Sequence, residues 1–244
     1  MKNSLLLCIS FLLAFQAGAA QVSIVLDDFG YPGYPAHKIF LMNYPFTLAI
    51  LPFSPNATRF ALQARKAGFE IILHLPLEAL SEIPADNSTY LTVEMPPDRV
   101  ERVIIDNMLR LPGIVGVNNH QGSLFTEDLE RMTVLLKTLG NYNLFFMDSL
   151  TSPHSICKEA ARKEGVKILK RDVFLDNTAE EENIRKQLQE LFCKAEKNGS
   201  AIGIGHARAK TLDYLEKLLP EILDEYPDIQ IVPLSRIYQD SKRF

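Results

Sequence analysis

Eight short apolar runs with helical segments between them leave this chain very few ways to fold. The runs are Val22 to Leu26, Phe46 to Leu51, Phe69 to Leu73, Ile114 to Val117, Leu144 to Met147, Val166 to Leu169, Ala201 to Ile204 and Ile229 to Val232. They are short and rich in β-branched residues, which marks strands covered on both faces. The intervening stretches repeat their apolar residues at helical spacing. Val100, Val103, Ile104 and Met108 follow Pro96-Pro97-Asp98; Leu129, Met132, Leu136 and Leu139 follow Thr126; Leu212, Leu215, Leu218, Leu219 and Ile222 form the last stripe. Ser152-Pro153 reads as a cap with a first-turn proline, and Thr178 with Glu181 as a capping box ahead of Ile184, Leu188, Leu191 and Phe192. These stripes are read as core packing.

Such alternation gives a parallel sheet with helices outside it, as a closed barrel or as an open doubly wound sheet. Either way, a ligand sits at the carboxyl ends of the strands. The residues that follow the apolar runs are the ones with chemistry in them. They read Asp27-Asp28, Pro52-Phe53-Ser54, His74-Leu75-Pro76-Leu77-Glu78, Asn118-Asn119-His120-Gln121-Gly122-Ser123, Asp148-Ser149, Arg171-Asp172 and Gly205-His206. Three of the five histidines therefore fall at one end of the sheet. Connectors at the other end, such as Lys66-Ala67-Gly68 and Lys197-Asn198-Gly199, carry no comparable cluster. His37 and His154 are placed in helical segments, away from the tips.

Asp27 and Asp28 end a buried apolar strand, where neighbouring side chains point to opposite faces, so at least one must meet something cationic. One carboxylate with two imidazoles suits a divalent ion such as Zn2+ and leaves a position open for water, the arrangement metal-assisted hydrolysis requires. The ligands chosen are Asp28, His74 and His120, with Asp27 as base and His206 as acid. Taken singly, each has a plainer reading, a turn cap for Asp28 and a satisfied core imidazole for His74. Their coincidence at one end of the sheet favours a site. Glu78, Asn119, Ser123, Asp148, Arg171 and Asp172 are assigned to substrate contacts or to orienting the other groups.

Residues 1–20 read as a secretory signal: Lys2, then the apolar run Leu5 to Phe15, then Ala17-Gly18-Ala19-Ala20. Residues 21–244 are expected to form a single domain. Losing Lys2 moves the net charge from -4 to -5. With no basic tract in the chain, nucleic acid is excluded as a partner. Of three cysteines, Cys157 and Cys193 remain after cleavage, either as one disulfide or as two buried thiols. The expected location is the bacterial periplasm, with no stable membrane insertion after cleavage.

The same tips carry a family likeness over nearly the whole chain. Val25-Leu26-Asp27-Asp28-Phe29-Gly30, the stretch Ala49 to Pro55, His74 to Glu78, Pro112 to Ser123, Phe145 to Ser152, Arg171 to Asn177 and Ala201 to Ala207 resemble the divergent polysaccharide deacetylases. These are an exported bacterial branch of the polysaccharide deacetylase superfamily. The resemblance implies a distorted (β/α) barrel of seven or eight parallel strands, a divalent metal, and deacetylation of an acetylated oligo- or polysaccharide. It makes Asp27 similar to the superfamily's base, Asp28 and His74 to its ligands, and His206 to its terminal histidine. The superfamily's second motif has two histidines four residues apart. Here Glu78 stands in the place of the second, and His120 is its substitute. The arginine-proline motif has no counterpart, and Gln121 and Ala207 stand where the branch has methionine and proline. The function expected is an exported zinc-dependent carbohydrate deacetylase. The alternative is a glycan-binding protein that keeps the fold and pocket without turnover.

Overall fold

The structure is a computed structural model describing residues 19–31, 33–81 and 89–241. Residues 1–18 of the expected secretory signal lie outside the described residues. The chain runs β1 (Ala20–Phe29), α1 (Ala36–Ile39), β2 (Thr47–Ile50), α2 (Ala57–Lys66), β3 (Glu70–Leu77), α3 (Pro97–Leu109) and β4 (Gly116–Gln121). It continues through a 3-10 turn (Phe125–Glu127), α4 (Leu129–Asn141), β5 (Phe145–Asp148), α5 (Cys157–Glu164), β6 (Ile168–Lys170) and β7 (Val173–Phe174). The last elements are α6 (Glu181–Asn198), β8 (Ser200–His206), α7 (Ala209–Glu225), β9 (Ile229–Ile231) and α8 (Leu234–Asp240).

Every strand pairing is parallel, in the order β6-β5-β4-β3-β2-β1-β8-β7. β9 pairs with β1 at Ala20 to Val22, the part of that edge which β2 leaves open by joining only at Val25. The two ends of the order, β6 and β7, are consecutive in the chain with only Arg171 and Asp172 between them. The Arg171 amide donates to the Asp148 carbonyl at the end of β5, and the Asp172 amide to the Ile202 carbonyl on β8. One kinked stave thus serves both neighbours, and the sheet curls into a distorted parallel (β/α) barrel. The Asp172 carboxylate accepts the Ile202 amide at 2.9 Å, standing in for a strand carbonyl.

Alternation along the strands sorts two apolar layers, as both faces of a parallel sheet are covered. Val25, Ala49, Ile72, Met147 and Ile204 fill the interior, where Leu234 and Ile237 of α8 pack beneath them. Leu26, Leu48, Leu73, Val117 and Phe146 belong to the outer layer, with helix residues such as Leu135, Leu188 and Leu215. α8 sits at the amino ends of the strands, opposite the tips. Its first amides donate to Thr47 Oγ1 at 2.9 Å and to Glu70 Oε1 at 3.1 Å. Gly116 is required here: a Cβ on it would lie 2.3 Å from the Phe145 ring.

Several boundaries differ from the sequence reading. β1 and β4 run on through their polar tips to Phe29 and Gln121, because the tips still have parallel neighbours to pair with. The 3-10 turn takes up Thr126, and Asp128 caps α4 by accepting the Arg131 amide. α5 begins at Cys157 rather than after Ser152, which leaves His154 in an exposed turn. There Ser152 accepts the His154 amide and bonds to Glu127. α6 begins at Glu181 without a side-chain cap, so Thr178 forms no capping box. Cys157 is buried on α5, Cys193 is exposed on α6, and both are free thiols, which removes the disulfide and the second buried thiol alike.

Candidate metal centre

A bulge puts both opening aspartates in the site. The register of β1 against β2 shifts between Leu26 and Phe29, and Asp28 adopts φ +59. Alternation therefore fails where it would have sent the two carboxylates apart. Asp is among the few residue types that tolerate this left-handed backbone. Gln121 (φ 56) and Leu150 (φ 51), at the tips of β4 and β5, are held in the same way. Backbone strain of this kind gathers where a site imposes its own geometry.

Asp28 Oδ1, His74 Nε2 and His120 Nδ1 form a nearly equilateral triangle. Its edges are 3.4 Å from Asp28 to His74, 3.2 Å from Asp28 to His120 and 3.2 Å between the imidazoles. Two vertices of a zinc tetrahedron with bonds of about 2.0–2.1 Å stand about 3.3 Å apart, so the spacing fits. Asp28 Oδ1 is also buried without a hydrogen-bond partner, a costly state for a carboxylate oxygen unless a cation shares the space. Asp28, His74 and His120 thus offer one donor atom each within a single coordination sphere.

The groups behind these atoms fix their chemistry. Asn118 Nδ2 donates to Asp27 Oδ1 at 2.8 Å, which turns Asn118 Oδ1 toward His74 Nδ1 at 2.9 Å. His74 then carries its proton on Nδ1, and Nε2 is left with a lone pair aimed at the triangle. Burial opposes a charge on His74, but Asp27 and Asp28 outweigh it and hold its pKa above the ordinary value. At His120 burial wins, and its pKa is lowered. Burial acts to raise Asp28 too, yet the two imidazoles hold it far below the usual carboxylate range. Asp27 is raised, chiefly by burial against the pull of His74 and Asn118, as suits a base.

His206 stands across the cleft with Nε2 3.8 Å from Asp28 Oδ2. Asp176, beneath it, accepts from His206 Nδ1 at 3.0 Å, from the His206 amide at 3.0 Å and from Thr211 Oγ1 at 2.7 Å. Phe174 meets the imidazole edge-on at 5.4 Å. The cleft over these groups encloses about 370 Å³ and is lined by Asp27, His74, His120, His206, Arg171 and Phe174, with Asn119 and Ser149 to Thr151 on one wall.

The other assigned residues separate. Asn119 lies on the cleft wall, where its side chain accepts the Ser149 amide and donates to the Gln121 carbonyl and Thr151 Oγ1. Asp148 turns its carboxylate to the Leu150 amide and Ser155 Oγ, and so holds the β5 tip from behind. Glu78, expected to bond a ligand or substrate, instead accepts the Val93 amide at 2.7 Å and ties down the loop after β3. Ser123 accepts the Leu80 amide, and Asp172 belongs to the β7–β8 seam; neither lines the cleft. Asn118 and Asp176 were not singled out from sequence. Both sit inside the motifs quoted for the family likeness, but only the fold shows which polar residue in a motif touches which. Ala207 gains a reason as well: its amide donates to the Asp27 carbonyl at 3.0 Å, a bond proline would forgo.

The chain thus combines a parallel (β/α) barrel with an Asp-His-His triangle at the carboxyl ends of its strands. The chain belongs to the divergent polysaccharide deacetylase family, whose family model matches residues 24–238. It is 37% identical over 222 residues to the uncharacterized protein YibQ of Escherichia coli K12, covering 91% of this chain and 68% of that protein. The crystal structure of uncharacterized protein ATU2773 from Agrobacterium tumefaciens C58 superposes with TM-score 0.80 and 25% identity, covering 91% and 90% of the two chains. A mutant of BA3943, described as a CE4 family pseudoenzyme with restored enzymatic activity, shares the fold at TM-score 0.52 and 12% identity, over 90% and 68% of the chains.

Proposed function

We propose that this protein is an exported, zinc-dependent hydrolase that removes acetyl groups from an acetylated oligo- or polysaccharide of the cell envelope. The observation that carries the reading is one cleft holding the Asp28-His74-His120 triangle, a buried Asp27 beside it and a His206-Asp176 pair across from it. Asp28, His74 and His120 would hold the ion. When bound, it supplies Lewis acidity toward the acetyl carbonyl and a water. Asp27, oriented by Asn118, takes the proton of the attacking water. His206, kept in one tautomer by Asp176 on Nδ1, presents Nε2 to the departing amine or alcohol and protonates it. Export rests on the apolar run Leu5 to Phe15 and its small-residue flank.

The test joins zinc titration with release of acetate from acetylated oligosaccharides. Wild-type protein is expected to bind one zinc and release acetate, and Asp28→Ala and His74→Ala to lose the zinc. Failure to bind zinc would sink the mechanism. Glycan binding without acetate release would leave a binding protein on the same fold.

A further inference from the structure

Arg171 stands on the cleft wall with no carboxylate in direct contact with its guanidinium. Nε donates to the Ser149 carbonyl at 2.7 Å and Nη2 to the Leu150 carbonyl at 2.9 Å, which locks the guanidinium plane without neutralising it. The guanidinium carbon lies 5.1 Å from the centroid of Phe174, the same ring that meets His206. No carboxylate of the described residues comes within ion-pair distance of it. The nearby acids bond elsewhere, Asp148 with Leu150 and Ser155, Asp172 with Ile202 and Asp27 with Asn118. Burial lowers the pKa of this half-buried cation, and Asp148, Asp27 and Asp172 offset that only in part and from beyond contact distance.

A surface arginine would leave such a charge in water, whereas this one is fixed in a cleft beside the reacting groups. Both Nη1 hydrogens are unused among the described residues, and Nη1 with Nη2 forms the planar fork that matches a carboxylate. The free side of this fork opens to the cleft, where a substrate carboxylate fits it. We infer that the acetylated sugar taken by the cleft carries a carboxylate and that Arg171 recognises it. The inference rests on the deacetylase reading for the sugar, and on Arg171 alone for the acid.

Titration calorimetry on the zinc-supplemented protein, with an N-acetylhexosaminuronate and its uncharged methyl ester, tests this by binding. The acid is expected to bind wild type at least tenfold more tightly than the ester, with a preference that weakens in high salt. Arg171→Gln should abolish the preference, and Arg171→Lys, which keeps the charge but not the fork, should retain only part of it. Equal affinity for acid and ester in wild type overturns the inference, whatever the variants do. A preference unchanged in folded Arg171→Gln overturns it as well, because the acid is then held by another group. Tight, Arg171-dependent binding of the acid without acetate release supports the inference while refuting hydrolysis.

Discussion

Asp176 accepts hydrogen bonds from the His206 ring, the His206 amide and the Thr211 hydroxyl while almost fully buried. Burial alone would raise its pKa. The bonds from His206 and Thr211 outweigh burial and hold the carboxyl below its ordinary value. Its folded pKa therefore lies below the unfolded value of about 3.9, so its stabilisation is complete above that pH and drains away as pH falls toward the folded pKa. Asp176→Asn should remove that part of the acid dependence, making urea midpoints less sensitive to pH below about 4 than in wild type. The same change removes the acceptor that orients His206. Acetate release should fall by about 10²- to 10⁴-fold, the usual weight of a positioned acid, while zinc affinity stays within a few-fold of wild type. A loss of zinc binding in this variant would instead make Asp176 part of the ion's own surroundings.

The strands show where local sequence stops deciding. A period of two predicts that Asp27 and Asp28 diverge, and the bulge in β1 makes them converge. In β4 the run Ile114 to Val117 marks a strand, yet the paired segment is Gly116–Gln121, because Asn118, Asn119 and His120 find partners on β3. The start of β4 also sets a steric limit that sequence does not announce. Gly116→Ala would drive a methyl group into the Phe145 ring, which fills the barrel interior. We expect Gly116→Ala to cost about 1–3 kcal/mol of stability by urea denaturation, in the range of overpacked cores. Adding Phe145→Leu should restore part of it. A neutral Gly116→Ala would show that β4 and β5 yield more readily than packed interiors do.

At the scale of the whole molecule, α8 and the strand tips close opposite ends of the barrel. Ile237, 3% exposed, packs into the interior cluster with Leu234, Val25 and Ile202. Ile237→Ala should cost about 2–5 kcal/mol and lower the melting temperature, with zinc affinity of the folded protein unchanged. A matching fall in zinc affinity would mean that the two ends are mechanically coupled. The sequence alone determined the parallel β/α alternation, the end of the sheet that carries chemistry, and the candidacy of Asp28, His74 and His120. Periodicity and residue type are local properties, legible in the chain itself. Tertiary structure decided the rest. It turned Asp28 inward through a left-handed bulge, gave Asn118 and Asp176 their partners, and took Glu78, Ser123 and Asp172 out of the cleft for loops and seams. The reason is geometric: a hydrogen bond joins residues across strands tens of positions apart, and only the closed sheet sets which of them come within about 3 Å.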